Sequence, residues 1–314
     1  MTVRAPSPLW LAAGAGFGAL LAVVFPGAGE FVRPVLPVAH GVVVFLLALS
    51  LPLLSLGRAI PRVRVWGVLL ILNVVVVPLI AFVMSRIVWH TPELQVGLLL
   101  VLLSPGVALS LSLIRGAGGD VESVLAAMPL ILASQLVLVP LFAVVLSGGV
   151  FRFDDLPRTL PTIAGVIVVP TLLAALSQVL AATRAPGLGR LNVTGTQNIV
   201  WWAAGAIALT VWAVLPDNLE RVSDLSWMVP LSIAFLVLMA PLSLFVASLV
   251  GVTPAQRRAV MIAGAGRGGL IVLPITLSLD PMWWSFVPLV VMTQIAIESA
   301  GLMVYRSIVP EIVE

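Results

Sequence analysis

Apolar runs of roughly 20 residues, each long enough to cross a hydrocarbon core as a helix, recur along the whole chain with only short polar loops between them. Ten such spans are expected, at 8 to 26, 35 to 57, 64 to 87, 93 to 114, 121 to 148, 159 to 182, 191 to 215, 226 to 251, 254 to 279 and 284 to 307. A soluble core cannot take up so much apolar chain. Charged residues are 9% of the 314, against about 25% in ordinary soluble domains, and the mean hydropathy is +1.20. The expected fold class is therefore an all-α polytopic membrane protein with the lipid bilayer as its solvent.

Composition then removes several kinds of chemistry. The chain has no cysteine, so disulfides, thiolate metal sites and thiol nucleophiles are excluded. With only His40 and His90, no metal site is expected, and nothing calls for a cofactor. The pI near 10.9 does not point to nucleic acid: all sixteen basic residues are Arg and most sit at span ends, the pattern of topological anchoring. With the N-terminus inside, ten Arg fall on the inner side (Arg4, Arg58, Arg62, Arg64, Arg115, Arg184, Arg190, Arg257, Arg258 and Arg306) and five outside (Arg33, Arg86, Arg152, Arg158 and Arg221). Both termini are thus expected to be cytoplasmic, in the cytoplasmic membrane. The first span lacks the short apolar core and small-residue cleavage site of a secretory leader and is expected to be retained.

The remaining Arg breaks this pattern. Arg267 lies at the middle of the ninth span, inside Ala263-Gly264-Ala265-Gly266-Arg267-Gly268-Gly269-Leu270, where a guanidinium costs roughly 2.5 to 3.5 kcal/mol even on insertion scales. Four glycines in six positions each lower helix propensity by about 1 kcal/mol relative to Ala. A helix is expected to unwind there, and unwound backbone at that depth must be buried in protein or line a cavity.

The chain also rhymes with itself. Pro78-Leu79-Ile80-Ala81-Phe82 matches Pro241-Leu242-Ser243-Leu244-Phe245 at an offset of 163, and Thr91-Pro92 matches Thr253-Pro254 at 162. Pro129-Leu130-Ile131-Leu132-Ala133-Ser134-Gln135 matches Pro288-Leu289-Val290-Val291-Met292-Thr293-Gln294 at 159. Three ordered matches at nearly constant offset indicate a duplication. Five spans per copy turn the second copy upside down, the inverted-repeat plan of many secondary transporters. The offset of 162 carries Pro105-Gly106 onto Arg267-Gly268, so spans four and nine are expected to be discontinuous helices that cross in the middle of the membrane. Half-helix N-termini meeting there, with Arg267 beside them, would attract an anion. The candidate solute-binding residues are Ser104, Pro105, Gly106, Ser110, Ser112, Gly266, Arg267, Gly268 and Gly269, with Asn73, Gln135, Thr293, Gln294 and Glu298 as candidates for coupling or lining the site.

These residues carry a resemblance. Leu72-Asn73 followed by Pro78, then Gly97-Leu98-Leu99-Leu100-Val101-Leu102-Leu103-Ser104-Pro105-Gly106 with Ala117-Gly118-Gly119-Asp120, then Gly264 to Leu270, resemble the bile acid:sodium symporter and arsenite-efflux superfamily. The likeness is closer to arsenic-resistance-type members through Gly266-Arg267, Leu270 to Pro274, Thr293-Gln294, Glu298, Gly301 and Val304-Tyr305-Arg306. It is specific in spans three to five and eight to ten, and elsewhere rests on hydropathy and position. The resemblance implies ten helices divided into a panel domain (1–57 and 159–215) and a core domain (64–148 and 226–307). The sequence also departs from the family. Arsenite-efflux members place a cysteine where Gly106 stands, so thiol ligation of arsenic is not available. Sodium-coupled members place Asn, Glu and Gln where Leu111, Ile262 and Gly266 stand here, so two sodium ions could not be held in the family's way. Arg267 is close enough to act as a tethered cation in their place.

The expected function is a secondary active transporter of a small anionic solute or oxyanion, without the usual sodium coupling and with protons carried, if at all, by Glu298. Metalloid efflux and sodium-coupled organic-anion symport are the alternatives within transport; a membrane receptor or scaffold that transports nothing is the alternative of another class. For Glu298 a static pair with Arg267 stands equally open. Asn73, Gln135 and Gln294 also read as interhelical glue, and Ser110 and Ser112 as hydroxyls bonded to their own helix. No Ser/His/Asp, Cys/His or paired-carboxylate set occurs within the spans, so an enzyme is not expected. Oligomeric state is not indicated. Gly264-x-Gly266-x-x-Gly269 follows no strand and is not a dinucleotide fingerprint.

Overall fold

The computed structural model describes residues 7–51, 63–106 and 110–313. The end of expected span two with Pro52, the middle of span four at 107–109, and Arg4, Arg58 and Arg62 lie outside the described residues.

Every element among the described residues is helical. In chain order the main ones are α1 (Leu9–Val24), α2 (Leu36–Leu49), α3 (Val63–Ile87), α4 (Pro92–Leu103), α5 (Ser110–Gly116), α6 (Val121–Ser147), α7 (Phe153–Thr183), α8 (Pro186–Gln197), α9 (Ile199–Val214), α10 (Met228–Val250), α11 (Pro254–Ala265), α12 (Gly269–Thr276) and α13 (Val287–Ile312). Five helical stretches are long and apolar enough to cross a bilayer alone: Pro26–Leu49, Val63–Ile87, Phe153–Thr183, Pro216–Val250 and Val287–Ile312. The α8–α9 pair is a sixth if its 56° bend falls within one span. The stretch over the expected span 191 to 215 is therefore bent. The chain turns at Asn198, after the polar run Thr194 to Gln197 with the poor helix former Gly195.

Local sequence explains the helix ends. Pro92 and Pro254 stand in the first turns of α4 and α11, where a missing N–H costs nothing. Thr253 and Gln256 form a reciprocal capping box on α11, and the Asp120 carboxylate accepts from Ser123 N–H at 3.0 Å to open α6. Gly148 and Gly251 close α6 and α10 in the left-handed region, at φ 70° and 68°. Two π-helical segments, Leu72–Val76 and Ile163–Val168, interrupt α3 and α7.

Packing follows side-chain size. Gly14 and Gly18 bring α1 against α9 so closely that an added Cβ would lie 2.4 Å from Ala204 O and 2.3 Å from Ala208 O. Small residues four apart are the usual means of such close approach in membranes. α2 packs on α7 and α9, while α4, α10, α11 and α12 each pack on α13. α13 is the most enclosed of the five long stretches, and the α7 stretch the least.

Candidate functional site

The Gly-rich segment of the ninth expected span breaks its helix. α11 ends at Ala265, α12 begins at Gly269, and Gly266 is extended at φ −68°, ψ 133°. The fourth expected span breaks too: α4 ends at Leu103 and Ser104 is extended at φ −83°, ψ 121°. The two breaks meet as an isolated antiparallel bridge between Pro105 and Arg267. Gly268 N–H donates to Ser104 O at 2.7 Å, and Gly106 N–H donates to Gly266 O at 3.3 Å. Each interruption thus supplies partners for groups that the other leaves outside a helix, as apolar surroundings require.

The glycines are there for room. A Cβ on Gly106 would sit 1.8 Å from Arg267 O, one on Gly266 2.5 Å from Gly106 O, and one on Gly268 2.4 Å from the Ser104 hydroxyl. No side chain fits at Gly106 unless the two backbones part.

Arg267 is 5% exposed. Its Nη1 donates to Asn73 Oδ1 at 3.2 Å and to Leu102 O at 3.0 Å, and its Nη2 donates to Gly264 O. The ring of Phe235 lies 5.4 Å from the guanidinium carbon, within cation–π range. Leu102 and Gly264 belong to the last turns of α4 and α11, whose unpaired carbonyls carry roughly half a negative charge each. The guanidinium therefore neutralises two helix C-termini, rather than adding to the positive field of two N-termini. Asn73 reaches it from the π-helical turn of α3, donating its own amide to Leu69 O at 2.8 Å.

Glu298, on α13, accepts from the backbone N–H of Arg267 at 2.7 Å. Its Oε2 is buried without a hydrogen-bond partner, and no ion pair within 4 Å joins it to the guanidinium. Gln294, one turn earlier on α13, is fully buried beside the Glu298 carboxyl, which its amide approaches without reaching hydrogen-bond geometry. A cavity of about 50 Å³ is lined by Gly106, Arg267, Gly268, Glu298 and Ser299, room enough for a water-sized species.

The other candidates divide. Ser110 Oγ donates to Gly106 O at 3.1 Å, so it bonds its own segment beside the crossing. Ser112 is exposed on α5. Thr293 Oγ1 donates to Leu289 O at 2.9 Å, an intrahelical bond. Gln135 is buried on α6 and lines a second cavity of about 360 Å³, which reaches the crossing at Ser104 and Pro105. Sequence reasoning passed over Glu93, a buried acid whose Oε1 accepts from Phe286 N–H at 3.0 Å while its Oε2 pairs with Arg221. Its place just after Thr91-Pro92, at the mouth of an apolar run, was the available signal. Phe235 and the carbonyls of Leu102 and Gly264 had none. Among the described residues no cluster of His, Asp and Glu could hold a metal ion.

Comparison with models of known protein families and with characterised proteins gives no match.

Proposed function

We propose that this chain is a secondary transporter of the cytoplasmic membrane that alternates access around the paired breaks. Ten spans form two inverted five-helix repeats, and a panel (1–57 and 159–215) rocks against a core (64–148 and 226–307). The observation that carries this reading is the bridge between Pro105 and Arg267, with one guanidinium serving the ends of both interrupted helices. Irregular backbone is tolerated at such depth where it borders a pathway.

Loop contacts support the topology. Arg33 pairs with Asp217, Arg158 with Asp280 and Arg221 with Glu93, and Arg86 donates to Leu146 O. Those residues come from the first, third, fifth, seventh and ninth interspan loops or the span ends beside them, which all share one side in a ten-span chain with both termini cytoplasmic. On the other side, Asp120 N–H donates to Ala255 O at 2.9 Å and Arg258 donates to Val313 O at 2.8 Å, joining the fourth and eighth loops and the C-terminal end.

Arg267 is read as the built-in cation of the crossing, in the place where sodium-coupled relatives of this architecture hold ions. Glu298, with one oxygen unpartnered, is the carrier for a coupling proton. The small-anion expectation loses its main support, because the guanidinium is bound to two carbonyl ends and the small cavity beside it is shared with the Glu298 carboxyl. Metalloid efflux, the alternative within transport, would have to proceed without thiol ligation, since the chain has no cysteine.

The test is uptake into proteoliposomes under imposed sodium or proton gradients, together with thermal unfolding in sodium chloride against choline chloride. Flux driven by protons with unfolding indifferent to sodium supports the reading. Strong sodium dependence in either assay refutes the tethered cation. Ligand binding abolished by Arg267→Ala, with no flux under any gradient, would favour a receptor instead.

A further inference from the structure

We infer that the solute admitted at the crossing is an uncharged, mostly apolar molecule with a single paired donor and acceptor group, such as a primary carboxamide, read by Gln135. This deepens the transport reading and rests on it. The cavity of about 360 Å³ lies between α2, α6, α7 and α12 and touches the bridge through Ser104 and Pro105. Its volume is of the size that takes small organic ligands. Among the described residues no charged one lines it. The nearby guanidinium of Arg267 is turned to Asn73, Leu102 O and Gly264 O and is not part of its wall. An ion entering this space would meet no counter-charge, and burying an unpaired charge is far more costly than burying a neutral polar group.

Apart from the Ser104 hydroxyl at the bridge, the polar groups of the wall point the same way. Thr159 donates its hydroxyl to Leu156 O at 2.6 Å and Thr171 to Ile167 O at 2.7 Å, so both are committed to their own helix. Gln135 is 4% exposed, and neither its amide nitrogen nor its amide oxygen has a partner. Leaving such groups unpaired costs about 1 to 3 kcal/mol, which a ligand offering one acceptor and one donor side by side would recover. That complement holds whichever way the amide is flipped. The wall also includes Val168 and Leu172, which are 40% and 63% exposed on α7. In a membrane-spanning helix such residues face hydrocarbon, so the route in is from the bilayer, where a neutral apolar solute concentrates.

The experiment uses the full chain in nanodiscs and three probes of matched chain length: radiolabelled decanamide, decanoate and decylammonium. Equilibrium binding is measured for the wild type and Gln135→Leu, with thermal unfolding of both proteins without probe. Saturable decanamide binding, about tenfold weaker in Gln135→Leu and at least as much weaker for both charged probes, is the expected result. Gln135→Leu should also unfold at a higher temperature than the wild type, because it removes an unpartnered buried amide. Equal or tighter binding of decanoate or decylammonium overturns the inference, as does unchanged decanamide binding in Gln135→Leu. A lower unfolding temperature in that variant also overturns it, since the amide would then be structurally satisfied. Because binding is read without a gradient, decanamide binding with no flux in proteoliposomes sustains this site and defeats the transport reading. Proton-driven flux of an anion with no decanamide binding does the reverse.

Discussion

Glu93 and Glu298 are both buried carboxylates, and each accepts a backbone N–H where a helix begins or resumes, at Phe286 and at Arg267. At the rim, the second oxygen of Glu93 is paired with Arg221, whose guanidinium also lies 4.5 Å from the centre of the Phe286 ring. At the crossing, the second oxygen of Glu298 has only the buried amide of Gln294 near it, short of hydrogen-bond geometry, although an arginine is next to it in space. One acid is complete and holds loops to the start of α13. The other is half-complete, because the arginine that would pair with it is bound to carbonyls instead. Under the transport reading proposed above, the contrast sets a structural acid, Glu93, against the proposed proton carrier, Glu298.

The largest way to break this contrast is Arg267→Ala. It strips the donors from Leu102 O, Gly264 O and Asn73 at once and should lower stability by about 3 kcal/mol or more, read as a fall in unfolding temperature. Glu93→Gln comes next. It weakens the Arg221 pair, whose guanidinium is 38% exposed and therefore partly screened, and should cost about 1 to 2 kcal/mol with flux retained. Glu298→Gln reverses the readouts: its amide oxygen still accepts from Arg267 N–H, so stability should change by less than about 1 kcal/mol, while proton-driven flux disappears. Smallest is Arg33→Ala at the exposed Arg33–Asp217 pair, 49% and 57% exposed, which should stay within about 0.5 kcal/mol and leave flux unchanged. A larger stability loss from Glu298→Gln than from Glu93→Gln would invert the assignment of roles.

The broad plan was legible because its signals are compositional. Apolar length announces a membrane, and Arg267 among glycines announces a break, since neither a buried charge nor a glycine cluster sits in a lipid-facing helix without cause. Pro105 marked the opposing break by offset alone. The partners of Arg267 were not legible: two are main-chain carbonyls, which every residue has, and only the meeting of α4 and α11 selects Leu102 and Gly264. The π turn that turns Asn73 toward the guanidinium has no residue-type signature in Leu72–Val76. Gln135 and Gln294 read alike in the repeat expected from the sequence, yet of the two only Gln135 borders the larger of the two cavities at the crossing. Burial of Gln294 was a matter of packing, which spacing does not encode.

The account depends most on a cation held between the ends of two interrupted helices. Thermal unfolding of the Arg267→Ala protein, with and without millimolar guanidinium chloride, tests it most directly. The variant should unfold early and recover part of the loss when guanidinium fills the vacated carbonyl site, while the wild type does not respond. A variant that unfolds at the wild-type temperature, or that guanidinium does not raise, contradicts the account.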